Sequence, residues 1–189
     1  RLMRSPIADS VQQVGALWLS QARALYEQAG AASSRDPFLR LRYASILQDL
    51  RDYEGAVREL EAVLRLDAPA PARAEAYRDL AVCYARLDRH EEEIRAYGEA
   101  LALEPHAGQR SLLLANRAEA YMAMGDITAA ADGYRASLSL LGTRELFAYG
   151  VTTLWGLGVA LDRSGDLESA LAVRGAHPDI TSDLDLVRC

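Results

Sequence analysis

The stretch WGLGVALDRSGDLESAL, Trp155 to Leu171, sets glycine and alanine where a helix would normally carry bulk. It also breaks an otherwise helical run with Gly165-Asp166. Three earlier stretches share its skeleton: RYASILQDLRDYEGAVREL (Arg42 to Leu60), RDLAVCYARLDRHEEEIRAY (Arg78 to Tyr97) and RAEAYMAMGDITAAADGY (Arg117 to Tyr134). In each, a small residue comes early, at Ala44, Ala81, Ala118 and Gly158, and a large one follows three positions later, at Leu47, Tyr84, Tyr121 and Leu161. After a turn comes another small residue at Ala56, Ala130 and Ala170, then bulk at Leu60, Tyr97 and Tyr134. The early small residues lie 37, 37 and 40 positions apart, a period that signals stacked supersecondary units rather than one wound core.

Sterics explain the residue types. Two antiparallel helices of a hairpin approach closely only where the contact point lacks a large side chain, and the bulky residue one turn away fills the space beside it. Leucine at Ala118 would overpack that point, at a cost of about 1–3 kcal/mol. The dipeptides Gly125-Asp126 and Gly165-Asp166 supply the hairpin turn. Glycine takes the left-handed conformation that ends the first helix, and aspartate caps the orphan amides of the second. The first two repeats use Arg51-Asp52 and Asp88-Arg89-His90 instead, with no glycine at the turn.

This skeleton resembles the tetratricopeptide repeat, a helix-turn-helix unit with a W-x-x-L-G-x-x-Y opening, a later alanine, an aromatic and a closing proline. Tyr77, Leu80, Ala81, Tyr84, Tyr97, Ala100 and Pro105 match that pattern in the second repeat, and Leu157, Gly158, Gly165 and Ala170 match it in the fourth. The departures are repeats longer than the family's, Glu93 in place of the second-helix alanine, and His177-Pro178, which disfavours continuation of the last helix. The resemblance implies an all-α, right-handed α-α solenoid of about four helix-turn-helix repeats, at about 37–70, 74–107, 111–144 and 151–177, together 36–178.

Ahead of the repeats, Ser5-Pro6 offers a helix start and Gly30 a stop. Ile7, Val11, Val14, Trp18, Ala22, Leu25 and Ala29 recur between them every three or four residues. Residues 5–31 therefore read as one long amphipathic helix that caps the open side of the first repeat or forms half of a degenerate one. A dimerisation helix is the alternative. Asp36-Pro37 starts the first repeat helix, Asp67 to Pro71 reads as a linker, and residues 179–189 read as the start of a further helix or a truncated tail.

Composition narrows the function. A net charge of −6, with no basic stretch, argues against nucleic acid. All 21 basic residues are arginine, which points to a high-GC, bacterial genome and removes mechanisms that need a lysine on phosphates or in a Schiff base. Cys83 and Cys189 form no CxxC pair, and Cys83, among apolar neighbours, reads as a buried structural thiol. No run is long and apolar enough to insert in a membrane. Arg1 is no initiator, so the chain reads as a piece of a longer protein, and the compartment expected is the cytoplasm, with the periplasm open.

Chemistry is sparse. His90 opens HEEE but Ile94 denies it the HExxH motif, leaving a turn residue, and GLG at 156–158 reads as close packing rather than a phosphate loop. Glu91-Glu92 reads as a solvated helix start. No catalytic, cofactor or metal site is expected; cofactors are none.

What remains is surface. In a solenoid of hairpins the first helix of each pair lines the concave face. The inward candidates are Arg42, Ser45, Gln48 and Asp49; Arg78, Val82 and Arg86; Asn116, Glu119 and Met122; and Trp155, Val159, Asp162 and Arg163. They mix arginine with apolar and aromatic anchors, the types enriched at binding hot spots. Some family members clamp a peptide's C-terminal carboxylate at such positions. Here only Asn116, with Arg42 and Arg78 as loose substitutes, matches that clamp, while Ser45, Leu112 and Ala115 depart from it.

The expected function is a non-catalytic protein–protein interaction module that binds a peptide or helix of another protein in its concave groove. Two alternatives stand beside it. One is a self-assembling scaffold, a homo-oligomer joined through the N-terminal helix or a terminal repeat. The other is a regulatory domain of a larger protein.

Overall fold

The computed structural model describes the backbone of residues 6–176 and the side chains of residues 14–142 and 150–173. Among the described residues the regular structure is helical throughout. The elements are α1 (Pro6–Gln28), a 3₁₀ turn (Ala31–Ser33), α2 (Pro37–Asp49), α3 (Tyr53–Arg65), α4 (Ala70–Arg86), α5 (His90–Leu103), α6 (Ala107–Met124), α7 (Ile127–Ser139), α8 (Thr143–Ser164) and α9 (Leu167–Ala176). The chain divides into two compact units at Leu87–Asp88, so the two helices of the second repeat fall one in each. The expected tail at 179–189 and the apolar positions Ile7 and Val11 lie outside the described residues.

In the first unit α2 and α3 form a hairpin, and α4 packs on both. Ala44 and Ala81 are wholly buried, as are Ala56, Leu60, Val63 and Cys83. Asp36 caps α2, its carboxylate accepting the Phe38 amide at 2.9 Å, with Pro37 in the first turn. Arg40 binds Glu59 across the hairpin at 2.6 Å and donates to the Ser34 carbonyl at 2.7 Å, a largely buried ion pair.

In the second unit α5 packs on α6, α6 on α7, α7 on α8 and α8 on α9. Ala118, Ala130, Ala160 and Ala170 form its core with Tyr134, Leu157 and Leu161. A buried serine pair ties α6 to α7: the Ser137 hydroxyl donates to the Ser111 carbonyl at 2.8 Å, and the two hydroxyls lie 2.9 Å apart.

One turn chemistry recurs three times. In the α6–α7 hairpin the Gly125 amide donates to Met122 and the Asp126 amide to Tyr121; in α8–α9, Gly165 donates to Asp162 and Asp166 to Leu161. The first hairpin makes the same pair from Arg51 to Gln48 and Asp52 to Leu47. Each closes the leading helix as a Schellman motif. Asp52, Asp126 and Asp166 then cap the following helix through Gly55, Ala129 and Ser169. In the first hairpin the missing glycine therefore does not change the turn: Arg51 is held at φ 62°, beside Gly125 and Gly165 at 81°, while Asp88 in the second-repeat turn stands at φ 55°. Aspartate tolerates that region. Arginine enters it at a cost of about 1–2 kcal/mol, which packing of the hairpin must offset.

The structure differs from the sequence expectations at four points. The first helices of repeats two to four begin at Ala70, Ala107 and Thr143, ahead of residues 74, 111 and 151. The repeats are long because these helices gain turns at their starts. Ala70 and Pro71 belong to the first turn of α4 rather than a linker, since proline there forfeits no helical hydrogen bond.

The N-terminal helix does not bury its apolar stripe as a cap would. Tyr26 stacks on Tyr43 with ring centroids 6.1 Å apart, and Tyr43 donates to Glu27 at 3.0 Å, yet Val14, Leu17, Trp18 and Leu25 are more than half exposed.

Finally, the close approach in the fourth repeat is not at Gly158. A Cβ there would meet nothing within 4 Å, whereas one on Gly156 would lie 2.6 Å from the Tyr134 ring. Gly133 is the comparable point in the third repeat, where a Cβ would stand 3.0 Å from that of Ala118.

The two glycines of α8 should therefore respond oppositely to alanine. Gly158→Ala should stabilise by about 1 kcal/mol through helix propensity. Gly156→Ala should lower stability by up to about 2 kcal/mol, as overpacking against Tyr134 outweighs the same gain. Thermal unfolding of the two variants, read as midpoint shifts of opposite sign, checks this.

Candidate functional site

Helices α6 and α8 lie side by side in the second unit, each presenting one face to solvent because the other is spent on α7. The register follows from the core. Ala115 and Ala118 on α6, and Leu157, Ala160 and Leu161 on α8, turn inward, so residues one position or one turn away open outward. Two cavities occupy the space between the helices. The first, of about 430 Å³, is lined by His106, Gly108, Gln109, Ser111, Leu112, Ala115, Asn116, Glu119, Leu141, Thr152 and Thr153. The second, of about 390 Å³, is lined by Glu119, Met122, Ala123, Tyr134, Thr152, Trp155, Gly156, Val159 and Arg163. Glu119 and Thr152 border both, so the cavities continue one another as a groove.

Of the residues singled out in the sequence, Asn116, Glu119, Met122, Trp155, Val159 and Arg163 come together here. Arg42, Ser45, Val82 and Arg86 are exposed on α2 and α4 of the first unit, and Arg78 is half-buried there. Gln48 is not a free surface group. It donates to the Asp79 carbonyl at 3.3 Å and to Cys83 Sγ at 3.2 Å, stitching α2 to α4.

Among the described residues Glu119 is the one carboxylate in the lining of the two cavities, and the charge of Glu93 on α5 acts on it. Glu93, at the position where the family pattern has alanine, is 5% exposed, and His90 Nδ1 lies 2.9 Å from its carboxylate. His90 is thus the first residue of α5 and the partner of Glu93, not a simple turn residue. Burial pushes the Glu93 carboxyl above its usual range, and the His90 contact opposes that. Glu119 is exposed on the groove. Burial, and then the like charge of Glu93, push it up as well. Burial also raises Tyr97 to about 12, with the Asn116 side chain at its hydroxyl opposing the shift, and Tyr134 to about 12. Both phenols are neutral, and Tyr134 lines the second cavity.

Sequence reading missed Thr152, Leu141 and the Glu93–Glu119 coupling. Thr152 could have been found from its spacing of three before Trp155 on one helix face. The coupling joins two helices and leaves no local signal. Among the described residues no group of His, Cys, Asp and Glu is placed to hold a metal ion, and no helix is long and apolar enough to cross a membrane.

In the first unit Asp79 has no side-chain partner among the described residues. Burial, then the negative charge of Glu75, raise its pKa from 3.8 to about 6, while Arg78 opposes. The folded chain thus holds this proton more tightly than the unfolded one. The stabilisation is complete below about pH 4 and is lost as pH rises through about 6. Asp79→Asn should raise the thermal midpoint near neutral pH and flatten its decline between about pH 4 and 6, as calorimetry across that range would show.

The family model described as "Tetratricopeptide repeat" matches residues 41–109. No match was found among the curated proteins. Among solved structures the chain resembles "Crystal structure of MamA", with a TM-score of 0.74 and 18% identity over 97% of this chain and 99% of that one. It also resembles BtubC (BKLC) from P. vanneervenii, TM-score 0.70 and 21% identity, covering 94% of this chain and 78% of that one. A third is YrrB, titled "a TPR protein with an unusual peptide-binding site", TM-score 0.69 and 16% identity over 93% and 84% of the two chains. Residues 41–109 thus match the tetratricopeptide-repeat family, and the described fold is similar to that of a tetratricopeptide-repeat protein.

Proposed function

We propose that this chain is a non-catalytic protein–protein interaction module that holds a peptide or helix of a partner in the groove between α6 and α8. The observation that carries the reading is the continuity of the two cavities at Glu119 and Thr152. Leu112 and Trp155, one on each cavity, are large apolar side chains left 55% and 57% exposed. Water is a poor neighbour for such groups. Burying each under a partner removes apolar area worth about 25 cal/mol per Å², and tryptophan is a frequent hot-spot anchor. The peptide-binding site named in the YrrB title supports the same reading by likeness of fold.

A second reading, assembly of copies of this chain, is favoured by one observation: the exposed Val14, Leu17, Trp18 and Leu25 of α1. Light scattering over a concentration range separates the two. Growth in mass that disappears on deleting residues 1–30 would support assembly.

For the groove, Trp155→Ala should weaken partner binding by about tenfold or more, a loss typical of a hot-spot truncation, with helical circular dichroism unchanged. In a Trp18→Phe background the remaining Trp155 emission should shift to the blue as a peptide partner is added. An unshifted spectrum at saturating partner would reject the groove as the seat.

A further inference from the structure

The groove's charge pattern specifies its occupant more closely than its shape does. Glu119 stands where the two cavities meet. Among the described residues it has neither an ion pair nor a hydrogen bond of its own. Of the cations nearby, Arg110 donates to the carbonyls of Leu101 and Glu104, and Arg163, which lines the second cavity with Glu119, makes no ion pair with it among the described residues. Burial, and then the like charge of Glu93, push the Glu119 carboxyl above its ordinary range. A carboxylate held beside another, over apolar walls, is relieved most by a positive charge brought in from outside.

Resting on the groove reading above, we infer that the partner segment carries a lysine or arginine between apolar residues, its cation seated at Glu119 and its apolar side chains on Leu112 and Trp155. The two exposed apolar side chains flank Glu119 from opposite cavities, so the order along the segment is apolar, basic, apolar. Thr152, across the groove from Glu119, offers a hydroxyl that can accept a further hydrogen bond from the same cation. An acidic segment would bring a third negative charge against Glu119 and Glu93, and Arg163 does not line the first cavity.

Short dye-labelled peptides test this by fluorescence anisotropy. Each has leucine and phenylalanine flanking a central lysine, norleucine or glutamate. The lysine peptide should bind about fivefold tighter than the norleucine peptide, the glutamate peptide should bind weakest, and added sodium chloride should shrink the lysine advantage. Glu119→Gln should erase that advantage, the lysine and norleucine peptides then binding alike, and Trp155→Ala should weaken both. If lysine and norleucine peptides bind the native chain equally in a Trp155-dependent way, the charge assignment is overturned and the groove stands. If no peptide binds, or binding ignores Trp155→Ala, the groove reading itself falls and the inference with it.

Discussion

Helices joined by only two or three residues are forced to lie side by side, and the distance at which they settle is set by the thinnest point of contact. Here that thinness is literal. Ala118 faces Gly133 so closely that one added Cβ would come to 3.0 Å, and Tyr134 crosses α8 at Gly156 with no room for a methyl group. Wholly buried Ala44, Ala56, Ala81 and Ala130 keep the same office elsewhere. Because the hairpin contact consumes these small residues, the opposite face of α6 and of α8 is left without a covering layer, and the groove exists on that account.

The turns serve the same constraint. A Schellman closure followed at once by an aspartate cap satisfies orphan groups at both helix ends within two residues. The pairing of Arg51 and Asp52 with Gln48 and Leu47 shows that the hydrogen-bond pattern, not the glycine, defines the hairpin. Glycine only removes the conformational cost of that pattern.

Much of this was legible in the residues because it is local. The period of the small residues, the Gly-Asp turns and the Asp36-Pro37 start each report on a few neighbouring positions, and the helices follow. The groove side of α6 and α8 was equally readable, since Asn116, Glu119 and Trp155 follow from helical spacing once the buried positions are known. What escaped was contact through space. The Ser111–Ser137 pair, the Arg40–Glu59 bridge and the Gln48 stitch join residues on different helices, and nothing in one strip of sequence announces them. The choice between Gly156 and Gly158 depended on the rotation of Tyr134 from another helix. The longer first helices went unread because prolines near Ala70 signal a loop and a first turn equally well.

Cys83 carries a consequence of its own. It is wholly buried, its thiol pushed up to about 11, and it sits under the Gln48 amide at the seam of α2 and α4. A thiol that is neither ionised nor reachable is sheltered from oxidants and alkylating reagents for as long as that seam stays shut. In a chain with Cys189 replaced by serine, the rate at which a disulfide reagent consumes this single thiol becomes a clock for the transient parting of two neighbouring helices.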